Sequence, residues 1–309
     1  SQRCTAIGSN AAAALTTGDR NIAIGVNAFQ SATAAHDCVC IGEGAGNQLS
    51  DANAYYNVAI GSYALDGAST TTFTTAIGYQ AATNVTTGDG NTVLGAMAMA
   101  LGTTAHTNVV IGQTAGYDIT TGNNLIVIGA AAGYNAGNDI VDGTQGIYIG
   151  AFSMASAGNV TNEVVIGYNT QGKGGNTAFI SQDSVYNGAN SSSWSTTSDI
   201  RIKKNIVDNT TGLDKINQIQ VKNFEYKTRE EIENDSPELK DVSGCAVVEK
   251  EGTQLGVIAQ EIEGVLPEVV ETQTTGVKTV NPDNLTWYLV NAVKELSAEV
   301  EQLKSQINN

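Results

Sequence analysis

The chain has no run of 18 apolar residues and no charged-plus-apolar leader, so neither a membrane span nor a retained secretion signal is expected. Cysteine is scarce. Cys38 and Cys40 stand two apart, so on one strand they point the same way and cannot easily bridge each other, and Cys4 and Cys245 are isolated. No disulfide framework is expected, which suits assembly in a reducing cytoplasm. Basic residues are also few: 15 Lys and Arg against 31 Asp and Glu give a net charge of −16. That balance argues against binding a phosphate backbone and for a solvated acidic surface. There is no initiator Met, and residue 1 falls inside a repeat, so an upstream part is expected to be missing.

What is present changes character near residue 197. Residues 1–197 hold 28 of the 34 glycines, no proline and only 14 charged residues. Residues 198–309 hold all three prolines and 32 charged residues. Two unlike segments are expected, with each contributing −8 to the charge.

The first segment repeats. An Ile-Gly or Leu-Gly pair closes ten short motifs, with glycines at 8, 25, 42, 61, 78, 95, 112, 129, 150 and 167. The spacing is 17 except for one of 19 and one of 21. Three residues before each glycine stands Thr, Val or Ile, and this period of two with β-branching predicts a strand. The residue between is Ala, Cys, Val or Tyr148, so the second strand face is expected to be buried too, against neighbouring chains. An alanine recurs three after the glycine, where a small side chain lets coils approach. Turn signals such as Thr16-Thr17-Gly18-Asp19 precede the strands. Seventeen extended residues reach roughly 56 Å, which predicts two short strands plus turns per solenoid coil.

These xIGxxA units, several with Asn four before the glycine (Asn21, Asn57, Asn91, Asn108), resemble the head repeats of trimeric autotransporter adhesins. The resemblance implies a trimeric parallel β-roll over residues 1–170, although the family's repeats are nearer 14 residues. Residues 171–197 lose the repeat and read as a Gly-, Asn- and Ser-rich junction.

The string Ser198-Asp199-Ile200-Arg201-Ile202-Lys203-Lys204-Asn205-Ile206 opens the second segment. Phe224-Glu225-Tyr226, Leu255-Gly256-Val257-Ile258-Ala259-Gln260-Glu261 and Leu266-Pro267-Glu268-Val269-Val270 follow. Together they resemble the intramolecular chaperone of endosialidases, peptidase family S74, over residues 198–309. The resemblance implies the C-terminus of a phage tail fibre or tailspike, a homotrimer that self-cleaves once. Carried onto this chain it implies Ser198 as nucleophile, Lys203 as general base, and Thr197-Ser198 as the cleaved bond. Asp199 and Arg201 would be positioning residues. The charged stretch around Glu230–Asp235 is expected to be a protruding loop or hairpin. From Leu285 onward, Leu289, Val293, Leu296, Val300, Leu303 and Ile307 alternate spacings of four and three, a short parallel coiled coil over about 285–309. Val or Ile at a with Leu at d would by itself favour two strands, so the expectation of three rests on the resemblances.

The expected fold is thus a mainly β repeat solenoid (β-roll, β-helix or prism) followed by an α+β chaperone domain ending in a coiled-coil helix. The expected function is the distal part of a homotrimeric phage tail fibre, carrying about −48 as a trimer. Its repeats would meet a host surface receptor, glycan or protein, and upstream tail or baseplate proteins would hold it in the virion after assembly in the host cytoplasm. Two alternatives stand beside it: a trimeric bacterial surface adhesin, and a glycan-depolymerising tailspike. The latter needs paired carboxylates, and the acids of the first segment are scattered. No cofactor is expected. His36 and His106 share one register, six before the glycine, and are weak candidates for a metal ring about a trimer axis, exposed loop histidines being the plainer reading.

Overall fold

The computed structural model describes residues 3–50, 53–134, 139–180, 198–242, 248, 250–273 and 276–308. Thr197, Cys245 and most of the junction lie outside them. The chain divides into two compact units, Ser1–Asp183 and Ser184–Asn309.

The first unit is a β-solenoid of about ten turns. Each repeat supplies one three-residue strand: β1 Thr5–Ile7, β2 Ile22–Ile24, β3 Val39–Ile41, β4 Val58–Ile60, β5 Thr75–Ile77, β6 Thr92–Leu94, β7 Val109–Ile111, β8 Ile126–Ile128, β9 Ile147–Ile149 and β10 Val164–Ile166. An eleventh, β11 (Ala178–Ile180), follows without an Ile-Gly signal, so the sheet continues into the expected junction. The strands pair in chain order, all parallel and in register, as with Thr92 opposite Val109 and Leu94 opposite Ile111.

The expected second strand per coil is not a named element. Instead each coil from Gly8 to Gly129 turns through left-handed residues two and four after the glycine and five before the next, such as Asn27, Phe29 and Asp37. Such residues shorten the path, so 17 residues close a coil with a single strand. The turns are still bonded coil to coil: Phe29 N–H donates to Ala45 O at 2.9 Å and Ser31 N–H to Asn47 O at 2.9 Å.

The strand faces are opposite to expectation. The middle residue points into the coil: Ala23, Cys40, Ala59, Ala76, Val93, Val110, Val127, Tyr148 and Val165 are buried. The flanking β-branched and Ile columns point outward and are half-buried or exposed. The inward face takes one residue per strand where the opposite face would bring in two. The interior is already occupied by the alanines three after the glycine (Ala28, Ala45, Ala64, Ala81, Ala98, Ala115, Ala132) and by inward residues such as Leu49, Val85 and Ile119, all fully buried. A second large column would overfill so narrow a coil.

The repeat glycine is required by stacking. In Gly95 (φ +141°), as in its equivalents, a Cβ would run into the backbone carbonyl of the next repeat glycine, Gly112. A buried asparagine column joins coils from within. Asn21, Asn57, Asn91 and Asn108 each donate through Nδ2 to a carbonyl 14 residues on and accept through Oδ1 from an N–H 17 residues on. At the last Ile-Gly repeat Glu163 takes that place. Fully buried, it accepts from Tyr148 Oη (3.2 Å), Ser156 N–H (3.1 Å) and Gly174 N–H (2.7 Å). Burial, with Glu163 alongside, holds the Tyr148 phenol above its usual range.

The second unit is small and α+β. In chain order its elements are α1 (Leu213–Gln218), β12 (Lys222–Phe224), α2 (Arg229–Asp235), β13 (Gln254–Gly256), α3 (Ala259–Glu263), β14 (Val270–Thr272), β15 (Lys278–Val280) and α4 (Pro282–Ile307). Strands β12 and β13 pair antiparallel, as do β14 and β15. Ile262, Leu266 and Val269 form its buried centre, with Val257, Val280, Leu285 and Tyr288 against them. The stretch expected as a loop is helix α2. A capping box fixes its start: Thr228 Oγ1 accepts from the Glu231 N–H while the Glu231 carboxylate accepts from the Thr228 N–H. Helix α4 begins three residues before the expected start, at Pro282, with Asn281 as N-cap. Among the described residues no helix is long and apolar enough to cross a membrane.

Candidate functional site

The second unit opens with a single turn of 3₁₀-helix, Ile200–Ile202. Asp199 caps it, accepting from the Arg201 N–H at 2.8 Å, and Lys203 closes it by donating its N–H to Ile200 O at 3.1 Å. The turn folds the chain back on itself. Lys203 Nζ therefore donates to Ser198 Oγ at 2.6 Å.

The two remaining charges of the motif are paired with each other. The Arg201 guanidinium meets both Asp199 oxygens, at 2.6 to 3.1 Å, and so holds the Asp199 carboxyl below the usual carboxylate range. Asp199 is thus taken up in the turn rather than in an ion pair with Lys203, which leaves the lysine directed at the serine. An ammonium that donates to a hydroxyl positions it; an amine that has lost its proton can take the hydroxyl proton and make the oxygen a nucleophile. Desolvation is what favours the neutral amine. In the single chain Ser198 and Lys203 are both exposed. So are Ile200, Ile202, Ile206 and Val207, which give the turn an exposed apolar rim.

A family model, Peptidase_S74, the chaperone of endosialidase, matches residues 198–271. The match begins at Ser198 and takes in the 3₁₀ turn, α1 to α3 and β12 to the first residues of β14. The segment is thus similar to that chaperone, while β15 and α4 lie beyond the match. No curated protein matches the chain.

The histidines are not brought together. His36 and His106 lie four coils apart, and each ring uses Nδ1 to accept a backbone N–H from the coil before it, Asp19 at 3.1 Å and Asp89 at 3.0 Å. Among the described residues no group of three or more metal-ligating side chains occurs. Cys38 and Cys40 are both buried, and burial raises their thiols, Cys38 to about 11. The candidate Thr197 lies outside the described residues. Two features escaped sequence reading: the Glu163 clasp, and an exposed aromatic group at Tyr55, Tyr56 and Phe73. Aligning the column five before the glycine would have set the last two apart from their polar equivalents.

Proposed function

We propose that this chain is the distal part of a homotrimeric phage tail fibre. In this reading the solenoid meets the host surface, and the chaperone-like unit directs trimerisation and then cuts once at Thr197-Ser198. The observation that carries the reading is apolar surface left open along both units. On the solenoid the outward columns expose Ile22, Leu94, Ile126 and Ile149. On α4 the whole a/d stripe is open: Leu289, Val293, Leu296, Val300, Leu303 and Ile307 are all exposed. Contiguous apolar surface of this extent marks an interface, and one that repeats along a chain suits other copies of the same chain.

Repeats of equal length could pair one unit out of register at little cost, so a C-terminal unit that brings three chains together first sets the register. Burial of the rim around Ser198 in the same step would tie cleavage to assembly. A serine Oγ on the residue that follows the cut bond can attack the carbonyl before it through a five-membered ring. Attack on the Thr197 carbonyl carbon, with the hydroxyl proton passing to Lys203, breaks the C–N bond. The Ser198 nitrogen takes that proton and an ester to Oγ remains. Water then hydrolyses the ester, leaving a Thr197 carboxylate and restoring the hydroxyl.

Intact mass and light scattering of the full chain test this reading. Wild type should give a trimer and two fragments meeting at Thr197-Ser198, whereas Ser198→Ala and Lys203→Ala should give uncut trimers. A monomer in all three would overturn the fibre reading, and a trimer with one uncut mass in all three would remove the cleavage alone.

A further inference from the structure

Two aromatic rings stand outside the solenoid at positions whose backbone disfavours them. Five before each repeat glycine the chain is left-handed: Arg20, Asp37, Tyr56, Phe73, Thr107 and Asn124 have φ between +53° and +58°. Asn and Asp tolerate that conformation, while a bulky ring there costs energy and calls for a reason. Tyr56 and Phe73 are 54% and 58% exposed. They stack on each other, with centroids 5.3 Å apart and planes at 28°. Tyr55 meets both edge-on, at 5.3 and 5.5 Å.

The column then breaks. After Phe73 comes Gly90, where a Cβ would meet no atom closer than Thr107 Cγ2 at 3.4 Å. With coils about 4.8 Å apart, Phe73 and Thr107 stand roughly 9.6 Å apart along the stack with no side chain between them. Taking off one carbon–carbon contact distance leaves about 6 Å, room for one puckered ring with its axial hydrogens but not for two. Tyr56 covers one face of Phe73, and the other face looks onto the step.

The edges of the step are polar acceptors. Asp89 Oδ1 is taken up by the Thr72 N–H, at 2.6 Å, and the Thr72 hydroxyl, at 2.8 Å, which holds the carboxylate in place and leaves Oδ2 to accept. The Thr107 hydroxyl lies 2.7 Å from His106 O and 2.9 Å from Asn124 Oδ1; it has one hydrogen to give between them, and its oxygen keeps lone pairs to accept. A flat apolar wall, hydroxyl acceptors at its rim and local negative charge together fit a ring with one apolar face and donor hydroxyls, and repel an anion.

We propose that the step between Phe73 and Thr107 binds a neutral pyranose, its C–H face on Phe73 and its hydroxyls donating to Asp89 and Thr107. As a receptor site it rests on the fibre reading; as a saccharide site it does not.

Saturation-transfer NMR on the full chain tests the proposal, with the methyl glycosides of glucose, galactose and N-acetylglucosamine as probes and methyl sialoside as the anionic control. Transfer should reach the ring C–H protons of a neutral sugar and fall at least about fivefold in Phe73→Ala and in Gly90→Asn, the loss of one aromatic contact. Asn suits the backbone at Gly90 (φ +69°) and would fill the step. Both variants should keep the wild-type size by light scattering. Equal transfer in both variants, no transfer from any neutral sugar, or a variant that changes oligomeric size would overturn it, the last marking the step as a contact between copies. Cell adsorption is read separately: failure there with sugar transfer intact would sink host recognition and leave the saccharide site standing.

Discussion

Asn91 and Asn108 are bonded twice across neighbouring coils: Asn91 Oδ1 accepts both the Asn108 backbone N–H, at 3.0 Å, and its Nδ2, at 3.1 Å. Asn91 also donates to Ala105 O at 2.7 Å. All these groups are buried, so none has water as a substitute. Asn91→Ala should therefore leave a backbone N–H and a carbonyl orphaned and cost about 1–3 kcal/mol each. Thermal unfolding of the full chain, followed by circular dichroism, should show the lower midpoint. An unchanged midpoint would mean that the ladder is decorative.

The glycine column should be less forgiving still. At Gly95 an alanine faces both a left-handed backbone and the Gly112 carbonyl. Backbone strain alone costs on the order of 1–3 kcal/mol, and the collision adds to it. Gly95→Ala is expected to lose the β signal or aggregate, whereas Gly252→Ala, whose Cβ meets nothing within 4 Å, should lose only the strain.

These two columns show what was readable beforehand. The Ile-Gly pairs marked β1 to β10 residue for residue, because a glycine forced by coil stacking leaves no alternative at that position. The direction of each strand face was not readable. Alternation alone fits either side inward, and only the Ala, Leu and Val side chains arriving from the turns decide that the single middle residue goes inside rather than the two that flank it. Strand β11 was missed because Ala178–Ile180 lacks the glycine, and α2 was missed although Thr228 and Glu231 spell a capping box. The Ser198 and Lys203 pairing was legible through family resemblance, since five residues of sequence do not by themselves dictate a turn that brings both ends together.

The open stripe of α4 gives a direct test of association. Leu296 and Val300 are each 46% exposed and lie on one helix face. Because they contribute little to the single chain, Leu296→Asp with Val300→Asp should leave the fold of the unit intact while lowering the oligomeric state in sedimentation. If the double variant sediments as wild type, the stripe is not the contact.

Acid response should separate two kinds of carboxylate on the solenoid. Asp118 and Asp139 occupy the same register in successive coils, and burial, then the neighbouring carboxylate, raises Asp118 above the usual range. Asp37, gripped by Arg20, is lowered instead. For Asp118 the folded state binds a proton more tightly than the unfolded one, so stability falls as pH rises through its folded pKa, and the penalty is fully present at neutral pH. For Asp37 the stabilisation is present above the ordinary carboxylate range and is lost as pH falls through the lowered value. Asp118→Asn should thus raise the midpoint at pH 7 by the equivalent of a few tenths of a kcal/mol, since the pair is largely solvated. That gain should vanish on acidification. Asp37→Asn should lower the midpoint at pH 7, with the loss also closing in acid. Thermal midpoints of the two variants between pH 3 and 7, each taken as a difference from wild type, should approach zero from opposite sides. If Asp118→Asn instead destabilises at pH 7, the stacked pair is not repulsive but holds something between its oxygens.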